Sequence, residues 1–144
     1  MVQEIETLRA RLEALSLDAD SPVDTLSVAL DAFEALLAAS RASQDRSAAL
    51  FAPFAFAAMA AAEGRSLLLT APSLPQAHGP AAGHAACVQT DLDVAADALA
   101  GLAGALSERL WAAAHRARNP GDHAACRDAA REAARIHELL ARDD

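Results

Sequence analysis

Two pairs of histidine and cysteine are the residues of this chain best suited to chemistry. The string His-Ala-Ala-Cys occurs twice, at His84 to Cys87 and at His123 to Cys126. The chain has only two cysteines and five histidines, and each cysteine has a histidine three residues before it. On a helix this spacing places imidazole and thiol one turn apart on the same face. Thiolate and neutral imidazole are good zinc ligands, and two such pairs would complete a tetrahedral site.

The surrounding sequence favours a different role for these pairs. No short Cys-x-x-Cys loop is present, and small buried cysteines are common in helical cores. The helix lengths expected from the sequence would also place Cys87 and Cys126 on the order of tens of ångströms apart. We therefore expect no cofactor. A metal- or redox-responsive protein that binds zinc through His84, Cys87, His123 and Cys126 is the alternative.

A second candidate for chemistry is the pair Arg118 and His123. An arginine, the polar Asn119 directly after it and a histidine after four intervening positions resemble the ribonuclease motif of HEPN domains, which are also small helical bundles. The resemblance covers six residues and implies that Arg118 and His123 face a dimer cleft and act on RNA phosphodiesters. The net charge of −8, without a dominant basic surface, disfavours a nucleic-acid partner. An HEPN-like ribonuclease is therefore a second alternative.

Several other catalytic sites are excluded by the absence of their motifs. No histidine has an acidic residue three positions before it, as the Glu-x-x-His pairs of di-iron bundles require. No glycine-rich phosphate loop and no nucleophile elbow are present. The sequence therefore favours a protein that is not an enzyme, with no catalytic residues assigned.

The elements that position these residues are expected to be α-helices. Alanine and leucine, two of the best helix formers, dominate the composition. All 12 basic residues are arginine, which together with the alanine excess indicates the codon bias of a GC-rich bacterial genome. The chain has no secretory signal pattern and no apolar run of membrane-spanning length. We expect one cytoplasmic all-α domain, residues 1–144, that contacts no membrane.

Helix boundaries follow from apolar spacing and capping residues. The first helix has a narrow apolar seam, and Ser21 with Pro22 provides the start of the second. The second helix reaches a polar patch at residues 41–46, which is either a turn or a solvated part of a continuing helix. Pro53 predicts a kink or a restart. Asn119 followed by proline predicts the start of the last helix.

Glycine and proline divide the middle of the chain. Gly64 predicts the end of the second helix, and residues 64–80 are expected to be a connector. A heptad pattern from residue 81 to residue 117 predicts a third, long helix. Gly101 and Gly104 either weaken that helix or allow a neighbour to approach closely.

These lengths predict an antiparallel bundle of four main helices, two long and two short. If each long helix has about 40 residues, it spans roughly 60 Å. Residues 45–63 and 81–100 would then project as a two-helix hairpin that carries three of the four phenylalanines. Such a surface predicts a homodimer. If the second helix breaks at residues 41–46, the chain instead forms a compact five-helix monomer.

The function that fits this architecture is binding without catalysis. We expect a helical-bundle protein that self-associates and binds a protein partner or a small apolar ligand between alanine-lined helices. The predicted binding residues are the apolar side chains of the hairpin, the connector and the end of the third helix: Phe51, Phe54, Phe56, Met59, Leu67, Leu68 and Trp111.

Overall fold

The computed structural model describes residues 2–15, 22–74 and 91–141, and it is all-α within these ranges, with no strand. The five helices are α1 (Val2–Ala14), α2 (Val23–Gln44), α3 (Phe51–Leu69), α4 (Leu92–Arg116) and α5 (Pro120–Leu140). None of these described helices is both long enough and apolar enough to span a membrane. The all-α prediction is confirmed. The prediction of four main helices is not confirmed: the described residues form five, because the second predicted helix is broken after Gln44 into α2 and α3, a break that the sequence left open.

The chain reverses direction at the polar patch that the sequence left open. α2 ends at Gln44, and a turn forms in which the Arg46 N–H donates to the Ser43 carbonyl at 3.1 Å. α3 begins at Phe51 with Pro53 in its first turn, where the missing N–H leaves no helical hydrogen bond unmade. α3 therefore packs back on α2, and the projecting long hairpin is replaced by the compact five-helix arrangement.

α3 continues through Gly64, where the sequence predicted its end. A Cβ atom at this position would lie within 2.8 Å of three carbons of the Phe33 ring, which is completely buried. Glycine is therefore needed here for the close approach of α2 to the α3 backbone. Leu67 and Leu68 consequently belong to the last turn of α3 instead of a connector.

Each helix packs between neighbours in a closed arrangement. α1 contacts α2 and α4, α3 contacts α2 and α5, α2 also contacts α4, and α4 packs most extensively on α5. α1 and α4 run parallel, because Arg9 lies over Gly101 while Arg109 donates to the carbonyls of Glu13 at 2.9 Å and Leu15 at 3.3 Å. The bundle is therefore not antiparallel throughout.

The core is built from a few large side chains with alanine between them. Twelve large side chains are completely buried: Phe33, Phe54, Leu12, Leu26, Leu30, Leu36, Leu68, Leu99, Leu102, Leu106, Leu110 and Ile136. Alanines fill the remaining helix contacts, which lets backbones approach closely. Truncation of such a leucine to alanine is expected to cost about 2–5 kcal/mol.

The capping prediction for α5 is confirmed, and of the two alternatives left open for the glycines of α4 the structure shows the close approach of a neighbour. The Asn119 side chain accepts from the Gly121 N–H at 2.7 Å, and Pro120 is the first residue of α5. Gly104 lies under the His137 imidazole, whose Nδ1 donates to the Ala100 carbonyl at 2.9 Å. The glycines of α4 thus serve close approach by side chains of α1 and α5.

Candidate functional site

The largest group of exposed apolar side chains in the described residues lies on α3. The exposed fractions of Phe51, Phe56, Met59 and Leu69 are 47%, 56%, 67% and 48%. Phe56 and Met59 are adjacent on one face of the helix, with the exposed Ala52 one turn before Phe56. We call the set Phe51, Ala52, Phe56 and Met59 the apolar α3 face.

The composition of α3 explains why this face is uncovered. The stretch from residue 51 to residue 62 contains no charged or hydrogen-bonding side chain, and a helix that is apolar on all sides is normally covered on all sides. Here only one side is covered, because Phe54, Ala57 and Ala61 are buried while the opposite side faces solvent. An ordinary polar face begins only at the exposed Glu63.

The exposed area of this face is large for a single helix. With roughly 200 Å² for each large side chain, Phe51, Phe56 and Met59 together expose roughly 300–350 Å². The largest apolar patch on a typical monomer has about this size and is often functional. The apolar α3 face is therefore the strongest candidate for a functional surface.

The structure separates the predicted binding residues. Phe54 and Leu68 are completely buried in the core, so neither side chain is available to a partner in this fold. Leu67 is half-buried beside them. Trp111 is half-buried on α4, 6.3 Å from the His115 ring in an edge-on arrangement at 63°, and α4 does not contact α3. Trp111 therefore lies on a different part of the bundle from the apolar α3 face.

The histidine and cysteine of α5 have separate structural environments. His123 Nδ1 donates to the Ala114 carbonyl at 2.6 Å, which satisfies an acceptor in the last turn of α4. Cys126 is completely buried, and burial together with the charge of Asp122 raises the pKa of its thiol from 9.0 to about 11. The buried thiol is therefore held in its neutral form.

The remaining members of the predicted zinc site, His84 and Cys87, lie outside the described residues. Among the residues that are described, no three histidine, cysteine or acidic side chains come together in a way that could hold a metal ion. Arg118, the partner of His123 in the HEPN-like motif, is exposed in the turn between α4 and α5.

Asp122 makes a buried contact that sequence reasoning missed. Its side chain is 2% exposed and accepts from the Ser73 backbone N–H at 2.9 Å and from the Ser73 hydroxyl. Pro72 packs beside Gly121, where a Cβ atom would lie 2.8 Å from the proline Cγ. This contact fixes the chain after α3 against the start of α5, where the helix dipole favours a carboxylate. The position of Asp122 in a first helical turn was visible in the sequence, but its partner 49 residues away was not.

Comparisons with known proteins do not extend this description. No protein-family model, no curated protein and no solved structure matches the chain.

Proposed function

We propose that this protein is a non-catalytic helical-bundle interaction protein that self-associates through the apolar α3 face. The observation that carries the proposal is the exposure of Phe51, Phe56 and Met59 on a stretch of helix without any polar side chain. Covering their exposed area would contribute roughly 8 kcal/mol at 25 cal/mol per Å², before the costs of association are subtracted.

The shape of the face fits a protein surface better than a small ligand. Small-molecule sites are concave and surround the ligand, whereas Phe56 and Met59 project from the outer side of one helix. A helix face of this kind is covered when a second apolar helix packs on it.

Two copies can meet at the apolar α3 face without placing charged side chains opposite each other, because residues 51–62 carry none. Two chains of net charge −8 repel each other where charged surfaces meet, and the apolar α3 face is a surface without charge. The exposed area is less than half of the roughly 800 Å² that each partner contributes to a standard interface. We therefore expect a weak dimer, with a Kd of about micromolar.

Sedimentation velocity over protein concentrations from about 1 to 300 μM, bracketing that Kd, tests the proposal. The wild-type chain is expected to change from monomer to dimer, and Phe56→Glu is expected to remain monomeric because a charge would be buried in the interface. Val94→Glu is the matched control, since Val94 is 50% exposed on α4 and lies outside the apolar α3 face. Circular dichroism melts verify that both variants fold.

Two outcomes would contradict the proposal. One is a wild-type chain that stays monomeric at the highest concentration, and the other is equal dimerisation of the two glutamate variants. A native mass spectrum of the same samples under reducing conditions would show stoichiometric zinc if the histidine–cysteine pairs bound metal instead.

A further inference from the structure

This inference rests on the proposed function. If two copies pair through α3, the distribution of polar residues along that helix determines the relative direction of the two α3 helices. A surface shared by two identical chains about a two-fold axis must be complementary to itself. Two arrangements of α3 meet this condition. In the first arrangement the two-fold axis is perpendicular to the α3 helices, which then run antiparallel. In the second arrangement the two-fold axis is parallel to the α3 helices, which then run parallel to each other.

The apolar part of α3 is confined to its first half. It extends from residue 51 to residue 62, about 18 Å at 1.5 Å per residue. The second half carries Glu63, Arg65 and Ser66, of which Arg65 forms an ion pair with Glu34 at 3.1 Å. An antiparallel pair overlaps the two apolar halves and leaves Glu63 of each copy at the edge of the overlap. A parallel pair must also bring the polar halves together, with Glu63 beside its own copy.

We infer that two copies pair antiparallel along α3, about a two-fold axis between Phe56 and Met59. In this register Phe56 of each copy lies opposite Met59 of the other, and a thioether next to an aromatic ring is a favourable contact. The two Glu63 side chains are about 16 Å apart along the helices. That separation exceeds the Debye length of about 8 Å at physiological salt, so their repulsion is screened.

Leu69 lies beyond the overlapping apolar halves, where this register places the α2–α3 turn of the second copy (residues 45–50). That turn carries the small exposed side chains of Ala48 and Ala49 together with the exposed, charged Asp45 and Arg46. The register therefore accounts for the exposure of Phe56 and Met59, while Leu69 lies beside a mixed surface.

Distances between spin labels distinguish the two arrangements. Thr70 is exposed directly after α3, so Thr70→Cys can be labelled in a Cys87→Ser background, where the buried Cys126 does not react. The antiparallel register places the two labels about 37 Å apart along the helices. Parallel helices packed at 8–10 Å would place them within about 20 Å.

A mixed sample provides the reciprocal measurement. One copy carries a label at Thr70→Cys and the other a label at Ala49→Cys. The distance between the two labels is expected to be within about 20 Å in the antiparallel register and about 30 Å in the parallel one. Circular dichroism verifies the fold of both labelled variants, and sedimentation verifies the dimer in the same samples. A dimer with a short Thr70–Thr70 distance and a long Thr70–Ala49 distance would overturn the register and leave the proposed function intact. Absence of any dimer would overturn both.

Discussion

Replacing Gly64 with alanine tests the packing of α3 on α2 with a single added methyl group. The new Cβ would lie within 2.8 Å of three carbons of the Phe33 ring, whereas carbon atoms in contact are normally 3.5–4.0 Å apart. The ring must therefore retreat by about 1 Å. Because Phe33 is completely buried in a close-packed interior, its neighbours have to move with it.

Two opposing effects set the size of the change. In a helix interior alanine is more favourable than glycine by about 1 kcal/mol. Overpacking a core typically costs about 1–3 kcal/mol. Because the new Cβ would contact three ring carbons at once, we expect the overpacking cost of Gly64→Ala to lie at the upper end of this range. We therefore expect a net loss of about 1–2 kcal/mol in the free energy of unfolding, which corresponds to a Tm lower by roughly 3–8 °C.

Urea unfolding followed by circular dichroism measures this difference, with Gly101→Ala as the matched control. A Cβ at Gly101 would approach Nη1 of Arg9 at 2.8 Å, but the Arg9 side chain is 43% exposed and can move aside. Gly101→Ala is therefore expected to be neutral or more stable by up to about 1 kcal/mol. In a double-mutant cycle with Phe33→Leu, the Gly64→Ala penalty should decrease by about 1 kcal/mol or more. A Gly64→Ala variant as stable as Gly101→Ala would refute the packing of Phe33 on Gly64.

Three further predictions concern ionisation, the contact after α3 and the attachment of α1. Burial raises the pKa of Cys126 from 9.0 to about 11, so the thiol ionises at a lower pH in the unfolded chain than in the folded one. Stability should therefore fall by about 2–3 kcal/mol between pH 9 and 11, where no tyrosine or lysine titrates because the chain has neither. Urea titrations of Cys126→Ala should lose this fall, and an equal fall in both proteins would exclude Cys126 as its cause. Asp122→Ala leaves the Ser73 N–H and hydroxyl without their acceptor, so the free energy of unfolding of this variant should be lower by about 1–3 kcal/mol. Ser73→Ala removes only the hydroxyl and should lose less. Equal losses in the two variants would show that the hydrogen bond from the backbone N–H contributes nothing. Arg109→Ala removes the side chain that donates to the carbonyls at the end of α1. Amide hydrogen exchange should therefore accelerate in α1 and stay unchanged in α5. Acceleration in both helices would indicate global destabilisation instead.

The fold class and some boundaries could be predicted because they depend on local composition. Alanine and leucine content was sufficient for the all-α class, and Asn119 with Pro120 marked the start of α5. The reversal after Gln44 could not be decided, because a polar stretch suits a solvated helix and a turn equally well. Gly64 was assigned wrongly since a glycine that ends a helix and one that admits a neighbour look alike in sequence. The neighbour, Phe33, lies far away along the chain.

The candidate site was predicted in composition but not in orientation. Phe51, Phe54 and Phe56 belong to a stretch that is apolar on every side, so no amphipathic pattern indicates which ring points into the core. Only the packing of α3 against α2 and α5 decides that Phe54 is buried while Phe51 and Phe56 are exposed. The apolar character that made this stretch a good candidate therefore also concealed its solvent face.

The parallel pairing of α1 with α4 determines the order in which the protein can assemble during synthesis. Arg109, which holds the end of α1, follows Leu15 by 94 positions. A ribosome adding about 5–20 residues per second needs roughly 5–20 s to cover that distance. In this interval Ile5, Leu8 and Leu12 can contact α2 but not their second neighbour. Among the described helices, α1 thus has an apolar seam that stays incompletely covered for the longest time during synthesis, which gives a chaperone the longest opportunity to bind it.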